Sequence, residues 1–356
     1  MNTGAGRRDL VPPLLRDKVF RRYWGASTVS VFGDQVSSIA VPLTAVLVLH
    51  AGAIGMGYLT ALQWLPSLLF GLHAGAWVDR RGKRTTMILA DLGRAVALAT
   101  IPVCYALHVL TLVQVYLVTF TVGALSVLFT VSDGVLFVSI VPPERYVDGQ
   151  SLIYGSRSAS FMAGPSAGGL LVEALTAPYA IVVDALSFLG SAFQLSRIRP
   201  LEPPSSDGSE GVTAGLKFIR SSPVVRASLT GVAVVNFFYC MFSALFMLYA
   251  VRALGVRPGV LVMLFAAEFI SGFGVMVLDI SIAAIFAVVI PPGVRSRVSG
   301  AFQAINYGTR PPGALLGGLL GSVLGLREAL WIAVAGAVAG ALLLFPSPLP
   351  GFRMPG

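Results

Sequence analysis

The stretch Gly-Ala-Trp-Val-Asp-Arg-Arg-Gly-Lys-Arg, residues 75–84, decides the fold of this chain. It joins two long apolar runs and concentrates basic side chains in one short loop: Arg80, Arg81, Lys83 and Arg84. A loop this basic beside two spans is expected on the cytoplasmic side of a membrane. Gly75 allows close backbone approach, Gly82 allows a tight turn, and Asp79 is placed to face the positive end of another helix. The stretch predicts a cytoplasmic loop between two transmembrane helices, and a loop that only fixes topology is the simpler alternative.

The composition is that of a membrane protein. Hydrophobic residues make up 56% of the 356 residues, charged residues only 12%, and the mean hydropathy is +0.82. A soluble domain carries about 25% charged residues. Apolar runs repeatedly reach the roughly 20 residues that are needed to cross a bilayer. We therefore predict an all-α polytopic membrane protein.

The apolar runs predict about ten membrane-spanning helices. They lie near residues 23–49, 54–77, 86–107, 111–141, 150–173, 177–196, 224–250, 258–290, 299–322 and 328–346. Lysine and arginine concentrate in the loops that this order places on one side, so both termini are expected in the cytoplasm. The net charge of +9 lies mostly in these loops, where it suits anionic lipid and not nucleic acid.

The polar stretch 197–222 is predicted to be a cytoplasmic linker. It separates an N-terminal half of six helices, residues 1–196, from a shortened C-terminal half of about four, residues 223–356. Pro-Pro at 142–143 and Gly-Gly-Leu-Leu at 168–171 recur at 291–292 and 317–320, at one common offset (317 − 168 = 149). Parallel repeats of this kind are typical of secondary transporters. The second half has room for two helices fewer than the first and lacks its own copy of the basic loop.

These motifs resemble the major facilitator superfamily of transporters over nearly the whole chain, from about residue 19 to residue 352. Residues 75–84 resemble its signature loop between the second and third helices, Gly-x-x-x-Asp-Arg-x-Gly-Arg/Lys-Arg. Residues 30–35, 268–274 and 310–318 look like parts of its first, tenth and eleventh helices. The branch of siderophore exporters and macrolide efflux proteins is the most similar. The resemblance implies a helical bundle in a bacterial inner membrane, two halves that rock about a central cavity, and here the loss of the eighth and ninth helices.

Ionisable residues at membrane depth are costly, and they are the first functional candidates. Asp34 lies near the middle of the first span, where a carboxyl group suits the binding and release of a proton. A hydrogen bond to a neighbouring helix is the equal alternative. Arg157 is expected to pair within the bundle, with Asp34 as one partner, or to neutralise an anionic substrate. Glu268 and Arg310 either pair with each other or take part in transport.

Three further sets of residues are candidates for supporting roles. Asp91 and Arg94 share a helix face and are predicted to support the loop at Asp79. A glycine-proline segment on the fifth helix resembles a motif of antiporters, and it either seals a helix interface or simply packs: Gly164, Pro165, Gly168 and Gly169. An amphipathic patch either lines a cavity or packs: Asn236, Phe237 and Tyr239.

The sequence argues against an enzyme, a cofactor and a metal site. No Gly-x-x-x-x-Gly-Lys-Ser/Thr loop, nucleophile with a matching base, or ligand-spaced group of histidines occurs. We predict a secondary transporter that exports a small amphipathic compound, such as an antibiotic or a siderophore, by proton antiport. The alternative is a transport-inactive remnant that acts as a membrane scaffold. In either case a second copy or a partner protein is a candidate to cover the shortened half.

Overall fold

The computed structural model describes residues 12–79, 82–199, 217, 219–256, 298 and 305–342. These residues are almost entirely helical, and no strand occurs among them, which confirms the predicted all-α class. The described helices are α1 (Pro13–Arg16), α2 (Lys18–Leu43), α3 (Ala53–Asp79), α4 (Lys83–Ala106), α5 (Leu112–Ile140), α6 (Tyr146–Leu175), α7 (Ala177–Ser196), α8 (Pro223–Arg252), α9 (Arg310–Val323) and α10 (Leu326–Leu342).

Six stretches of the described chain are long and apolar enough to cross a membrane. They are Lys18–Val48, Ala53–Gly71, Lys83–Ala106, Leu112–Ile140, Ala177–Ser196 and Val225–Arg252. Each coincides with a predicted span, and α6, α9 and α10 overlap three more. The span predicted at 258–290 lies outside the described residues, so the count of ten helices stays a prediction.

The helices end where the sequence interrupts the backbone pattern. A π-helical turn, Thr44–Val48, follows Pro42 at the end of α2. Thr176 joins α6 to α7 with a φ of 73°, and Gly325 joins α9 to α10 with a φ of 106°. A positive φ at these two residues lets the chain reverse direction between neighbouring helices within one or two residues.

Contacts group the chain into two compact units. Unit 1 comprises residues 1–40, 74–106 and 125–206, and unit 2 comprises residues 41–73, 107–124 and 207–356. In unit 1, α4 and α7 have the most extensive contact, and aromatic and aliphatic side chains such as Phe20, Tyr23, Leu136 and Phe137 form a buried core. The predicted division into halves at the linker 197–222 stays a prediction, because most of the linker lies outside the described residues.

Unit 2 is held together by α8, which packs against both α9 and α10. Glycines bring α3 and α9 into close contact: a Cβ added at Gly57 would lie 2.9 Å from the carbonyl oxygen of Ala314 and 3.0 Å from the Cα of Gly318. In lipid, where apolar side chains gain little by leaving the solvent, such close backbone approach is a main source of helix association.

The glycines of the sequence repeat have matching positions in the two units. In unit 1, a Cβ at Gly168 of α6 would lie 3.2 Å from the Cα of Val36 on α2. In unit 2, a Cβ at Gly317 of α9 would lie 2.8 Å from the carbonyl oxygen of Met241 on α8. Gly168 and Gly317 are the repeat-related pair, so each packs its helix against the backbone of the first long helix of its own predicted half.

The neighbouring positions repeat this arrangement one turn earlier. Gly164 of α6 lies against the side chain of Gln35, and Gly313 of α9 lies against the backbone of Phe237. Gly164 and Gly313 are also separated by the repeat offset of 149 residues (313 − 164 = 149). Gly164 and Gly168 of the predicted packing motif therefore lie in a helix interface, and Gly169 beside them is buried too.

Candidate functional site

Unit 1 contains a cluster of ionisable side chains within its apolar helices. Each of α2, α4, α5, α6 and α7 contributes at least one of them: Asp34, Asp91, Arg94, Asp133, Arg157 and Asp184. Four carboxyl groups thus face two guanidinium groups. Within the described residues, two of the carboxyl groups have a basic partner at ion-pair distance and the other two have none.

Arg94 and Asp91 form a fully buried ion pair on α4. The Nη2 of Arg94 donates to the Oδ1 of Asp91, and the two residues are 2% and 0% exposed. The guanidinium carbon lies 4.5 Å from the ring centre of Phe129 and 4.0 Å from that of Phe188, so two aromatic faces stabilise the cation. Arg94 Nη1 also donates to Ser126 Oγ at 3.4 Å. The predicted shared face is present, whereas support of the loop at Asp79 stays a prediction.

Asp133 of α5 has two partners. The hydroxyl of Tyr23 donates to its Oδ1 at 2.6 Å, and the Nη2 of Arg157 lies 3.8 Å from its Oδ2. Tyr23 is 1% exposed, and the side chain of Arg157 is 37% exposed. The described carboxylate at ion-pair distance from Arg157 is therefore Asp133 and not Asp34.

Asp34 of α2 and Asp184 of α7 form the remaining part of the cluster. The two carboxyl groups repel each other, and Arg94 attracts both at longer range. Asp184 is 1% exposed, and it accepts a hydrogen bond from Ser187 Oγ at 3.1 Å. Gly33 lies directly against Asp184 and Ser187, which lets α2 approach α7 beside Asp34.

A groove of about 870 Å³ borders this carboxyl pair. It is formed by α2, α6 and α7 and is largely apolar, with several hydroxyl groups along its wall. Gly33 and Ser187 line the groove and also contact Asp184, so the groove and the carboxyl pair share a wall. The shape and polarity suit a small compound with an apolar body and few polar groups.

Unit 2 contains a second arginine site at the start of α9. The guanidinium carbon of Arg310 lies 4.0 Å from the ring centre of Trp64 on α3 and 4.8 Å from that of Tyr307. The Trp64 and Tyr307 rings are stacked, with centroids 5.9 Å apart and an interplanar angle of 11°. Glu268, the predicted alternative partner of Arg310, lies outside the described residues.

The signature loop is described in part. The helix α3 contains Gly75 and ends at Asp79, but Arg80, Arg81 and the side chain of Asp79 lie outside the described part of the chain. Arg84 donates from Nε to the Leu195 carbonyl at 2.9 Å and from Nη2 to the Ser196 carbonyl at 2.6 Å. These carbonyls belong to the last turn of α7, where backbone acceptors have no partner within the helix. One base of the loop therefore caps a neighbouring helix.

The predicted cavity patch on α8 consists of packing residues and half-exposed side chains. Asn236 is 6% exposed, and its Nδ2 donates to the Val232 carbonyl of the same helix at 3.0 Å. The ring of Phe237 packs 5.2 Å from that of Phe238. Tyr239 is 38% exposed. Tyr239 is thus the most exposed of the three residues, and a role in a cavity stays a prediction.

Sequence reasoning overlooked several residues of these sites, among them Tyr23, Asp133, Asp184 and Trp64. Asp133 and Asp184 carry the same signal as Asp34, a carboxyl group inside a long apolar run, and the same argument would have found them. Tyr23 and Trp64 give no such signal, because aromatic residues are common in spans, and their partners are distant in sequence.

The sequence model of the Major Facilitator Superfamily matches residues 23–266. The chain belongs to the Major Facilitator Superfamily. Its curated relatives include the uncharacterized MFS-type transporter YfiS of Bacillus subtilis, 26% identical over 63% of this chain and 55% of that protein. The multidrug efflux pump Tap of Mycolicibacterium fortuitum is 25% identical over 61% of this chain and 56% of that protein. The chain thus aligns with about half the length of the curated relatives it matches.

Solved structures show the same major facilitator fold. A bacterial homologue of the human lysosomal transporter Spinster, in an inward-facing and unoccupied conformation, is similar over 95% of this chain and 83% of that one, with a TM-score of 0.59 and 13% identity. The nucleoside transporter NupG is similar over 92% of this chain and 99% of that one, with a TM-score of 0.65 and 10% identity. The comparisons thus place the chain in a family of transporters, and the membrane-length helices are consistent with a multi-pass membrane protein.

Proposed function

We propose that this major facilitator chain exports a small amphipathic compound by proton antiport, and that the carboxyl pair Asp34–Asp184 carries the proton. Two of the relatives are named as a multidrug efflux pump and a multidrug resistance protein, which supports export. Antibiotics and siderophores are the substrate classes that we favour, in keeping with the sequence resemblance to siderophore exporters and macrolide efflux proteins. The bacterial inner membrane, with both termini in the cytoplasm, is the proposed location.

The pairing of charges in unit 1 is the main support for Asp34 and Asp184 as the proton-binding groups. Asp91 is neutralised by Arg94, and Asp133 by Arg157. Asp34 and Asp184 then remain as neighbouring carboxyl groups without a basic partner of their own among the described residues. Two adjacent negative charges inside a bilayer are costly, so proton uptake is the natural compensation. Release of that proton toward one side of the membrane is the step that antiport requires.

The groove beside the pair supports coupling between the proton and the substrate. Because Gly33 and Ser187 border both the groove and Asp184, a compound bound there would change the solvation of the carboxyl pair. Binding of substrate and binding of proton are then linked, which is the condition for exchange of one for the other.

Removal of either carboxyl group should abolish coupling. We expect Asp34→Asn and Asp184→Asn each to remove proton release when ethidium, or another dye exported by the unaltered chain, is added to inverted vesicles that hold a pH gradient. The readout is the fluorescence of a pH-sensitive dye inside the vesicles. Glu173→Gln, which removes an exposed carboxyl group at the end of α6, is the matched control and should keep full proton release. Undiminished proton release in both Asp34→Asn and Asp184→Asn would assign the pair a structural role.

The signature loop gives a separate prediction. We expect Asp79→Asn to lower export of the same dye by about tenfold or more while the amount of folded protein in the membrane is unchanged, since a charge at the end of α3 is proposed to stabilise one of the two transport states. Glu144→Gln in another loop is the control. Normal export by a folded Asp79→Asn variant would mean that the loop only sets topology.

We further propose that the C-terminal half lacks two helices relative to the N-terminal half. The glycine contacts at Gly164 and Gly313 support this, because the repeat places them at equivalent positions. The chain runs 129 residues from Gln35 to Gly164 (164 − 35 = 129) but only 76 from Phe237 to Gly313 (313 − 237 = 76). The difference of 53 residues (129 − 76 = 53) is about the length of two membrane spans with their loops.

This shortening favours the second candidate function, a transport-inactive remnant that serves as a membrane scaffold and binds a second copy or a partner protein. Expression in an efflux-deficient bacterium distinguishes the two functions. Resistance to amphipathic antibiotics that Asp34→Asn and Asp79→Asn both abolish would establish an exporter. A folded chain that confers no resistance and purifies as a dimer would favour the scaffold.

A further inference from the structure

Arg310 differs in its partners from Arg94 and Arg157, two other arginines of the described helices. Arg94 and Arg157 each have a carboxylate within ion-pair distance, Asp91 and Asp133. Arg310 has none among the described residues, and its described neighbours are the rings of Trp64 and Tyr307 and the thiol of Cys240. Aromatic faces stabilise a half-buried guanidinium in an apolar bundle only in part, and no described carboxylate neutralises the charge of Arg310.

Two buried polar atoms at this site also have no hydrogen-bond partner within the part of the chain that the structure describes. They are the Nε of Arg310 and the Oδ1 of Asn306. The two residues are four apart on one continuous helical stretch and so share a face. An unpaired donor and an unpaired acceptor are each unfavourable in a buried site, and a ligand with its own polar groups would pair with them.

The stacked rings define what else the ligand must carry. Trp64 and Tyr307 are half-buried and lie nearly parallel, and Arg310 lies over both. The guanidinium of Arg310 lies against both rings, and its planar fork of N–H donors suits a planar, two-oxygen anion. Half-exposed aromatic faces beside that position suit a flat apolar body.

We propose that Arg310, Trp64 and Tyr307 bind the carboxylate end of an aromatic substrate, so that the transported compounds include amphipathic anions. The proposal rests on the proposed function as an exporter, because it names the substrate class of that activity. Glu268 of the chain itself is the alternative counterion of Arg310. The experiment distinguishes a ligand carboxylate from Glu268.

The test is a binding measurement that does not depend on transport. The purified full chain in lipid nanodiscs is equilibrated by dialysis with 2-naphthoate or with the uncharged 2-naphthamide, which share one ring system and differ in charge. We expect the unaltered chain to bind naphthoate about tenfold or more tightly than naphthamide, as a charge-assisted hydrogen bond predicts. Arg310→Gln should remove this preference and leave naphthamide binding within about twofold.

Two further variants complete the design. Arg226→Gln, which removes an exposed guanidinium at the start of α8, is the matched control and should keep the preference. Arg310→Lys keeps the charge but loses the planar fork, so it should fold even if Arg310→Gln does not, and it should lose part of the preference. An undiminished preference in folded Arg310→Lys and Arg310→Gln would overturn the proposal.

Glu268→Gln tests the internal counterion. If the unaltered chain shows no preference for naphthoate and Glu268→Gln creates one, Arg310 is neutralised within the chain and the proposal is wrong. Naphthoate binding that depends on Arg310 in a chain that fails to export any dye would support the anion site and contradict only the export function. Export that persists without any anion preference would contradict only the anion site.

Discussion

Replacement of Asp91 by asparagine should lower the free energy of unfolding by about 3–5 kcal/mol, because it leaves a buried guanidinium without its carboxylate. Arg94 is 2% exposed, and its side chain is enclosed by the rings of Phe129 and Phe188. It cannot reach solvent without separating α4 from α7, the most extensive helix contact of unit 1. The measurement is reversible unfolding of the purified protein in mixed micelles, followed by tryptophan fluorescence.

The control for this prediction is a variant that removes both charges. Asp91→Asn combined with Arg94→Met should recover a large part of the lost stability, because no buried charge then remains unpaired. Asp148→Asn, an exposed carboxyl group in the first turn of α6, should change the stability by less than about 1 kcal/mol. If Asp91→Asn were no more destabilising than Asp148→Asn, the ion pair would not stabilise the fold, and another group would neutralise Arg94.

The helices of this chain could be predicted from sequence because the bilayer imposes their length. A span needs roughly 20 apolar residues, and the predicted run 177–196 has the same bounds as α7, Ala177–Ser196. The basic loop at 75–84 and the glycine repeat are enough to indicate the family that the family model then shows. These signals lie within short stretches of sequence, so they can be recognised without knowing which helices are neighbours.

The partners within the site could not be predicted in the same way. Arg157 and Asp133 lie on different helices, and so do Arg310 and Trp64. Which helix faces meet depends on close packing at glycines such as Gly33. The spacing of residues in the sequence does not predict that Gly33 contacts Asp184. Apolar periodicity says little here, since lipid-facing and buried residues of a membrane helix are both apolar.

The second large effect on stability is expected from a glycine of the sequence repeat that packs two helices of unit 2 together. We expect Gly317→Ala to lower the free energy of unfolding by about 1–3 kcal/mol, because the added methyl group would lie 2.8 Å from the carbonyl oxygen of Met241 and 3.1 Å from its Cα. Backbone atoms cannot rotate away as a flexible side chain can. The helices α8 and α9 must therefore separate, and their close packing is lost.

Gly155 of α6 provides the matched control, because it is also helical but has no atom within 4 Å of an added Cβ. Gly155→Ala should leave stability unchanged or raise it by up to about 1 kcal/mol, as alanine is the better helix former. The comparison isolates the contact from the helix propensity, since both variants exchange glycine for alanine within a helix. Gly168→Ala, the repeat-related change in unit 1, should be destabilising too, because its methyl group would meet the Cα of Val36 at 3.2 Å. Equal stability of Gly317→Ala and Gly155→Ala would show that α8 and α9 are not in backbone contact at this point, and it would remove the structural support for an equivalence between the two halves.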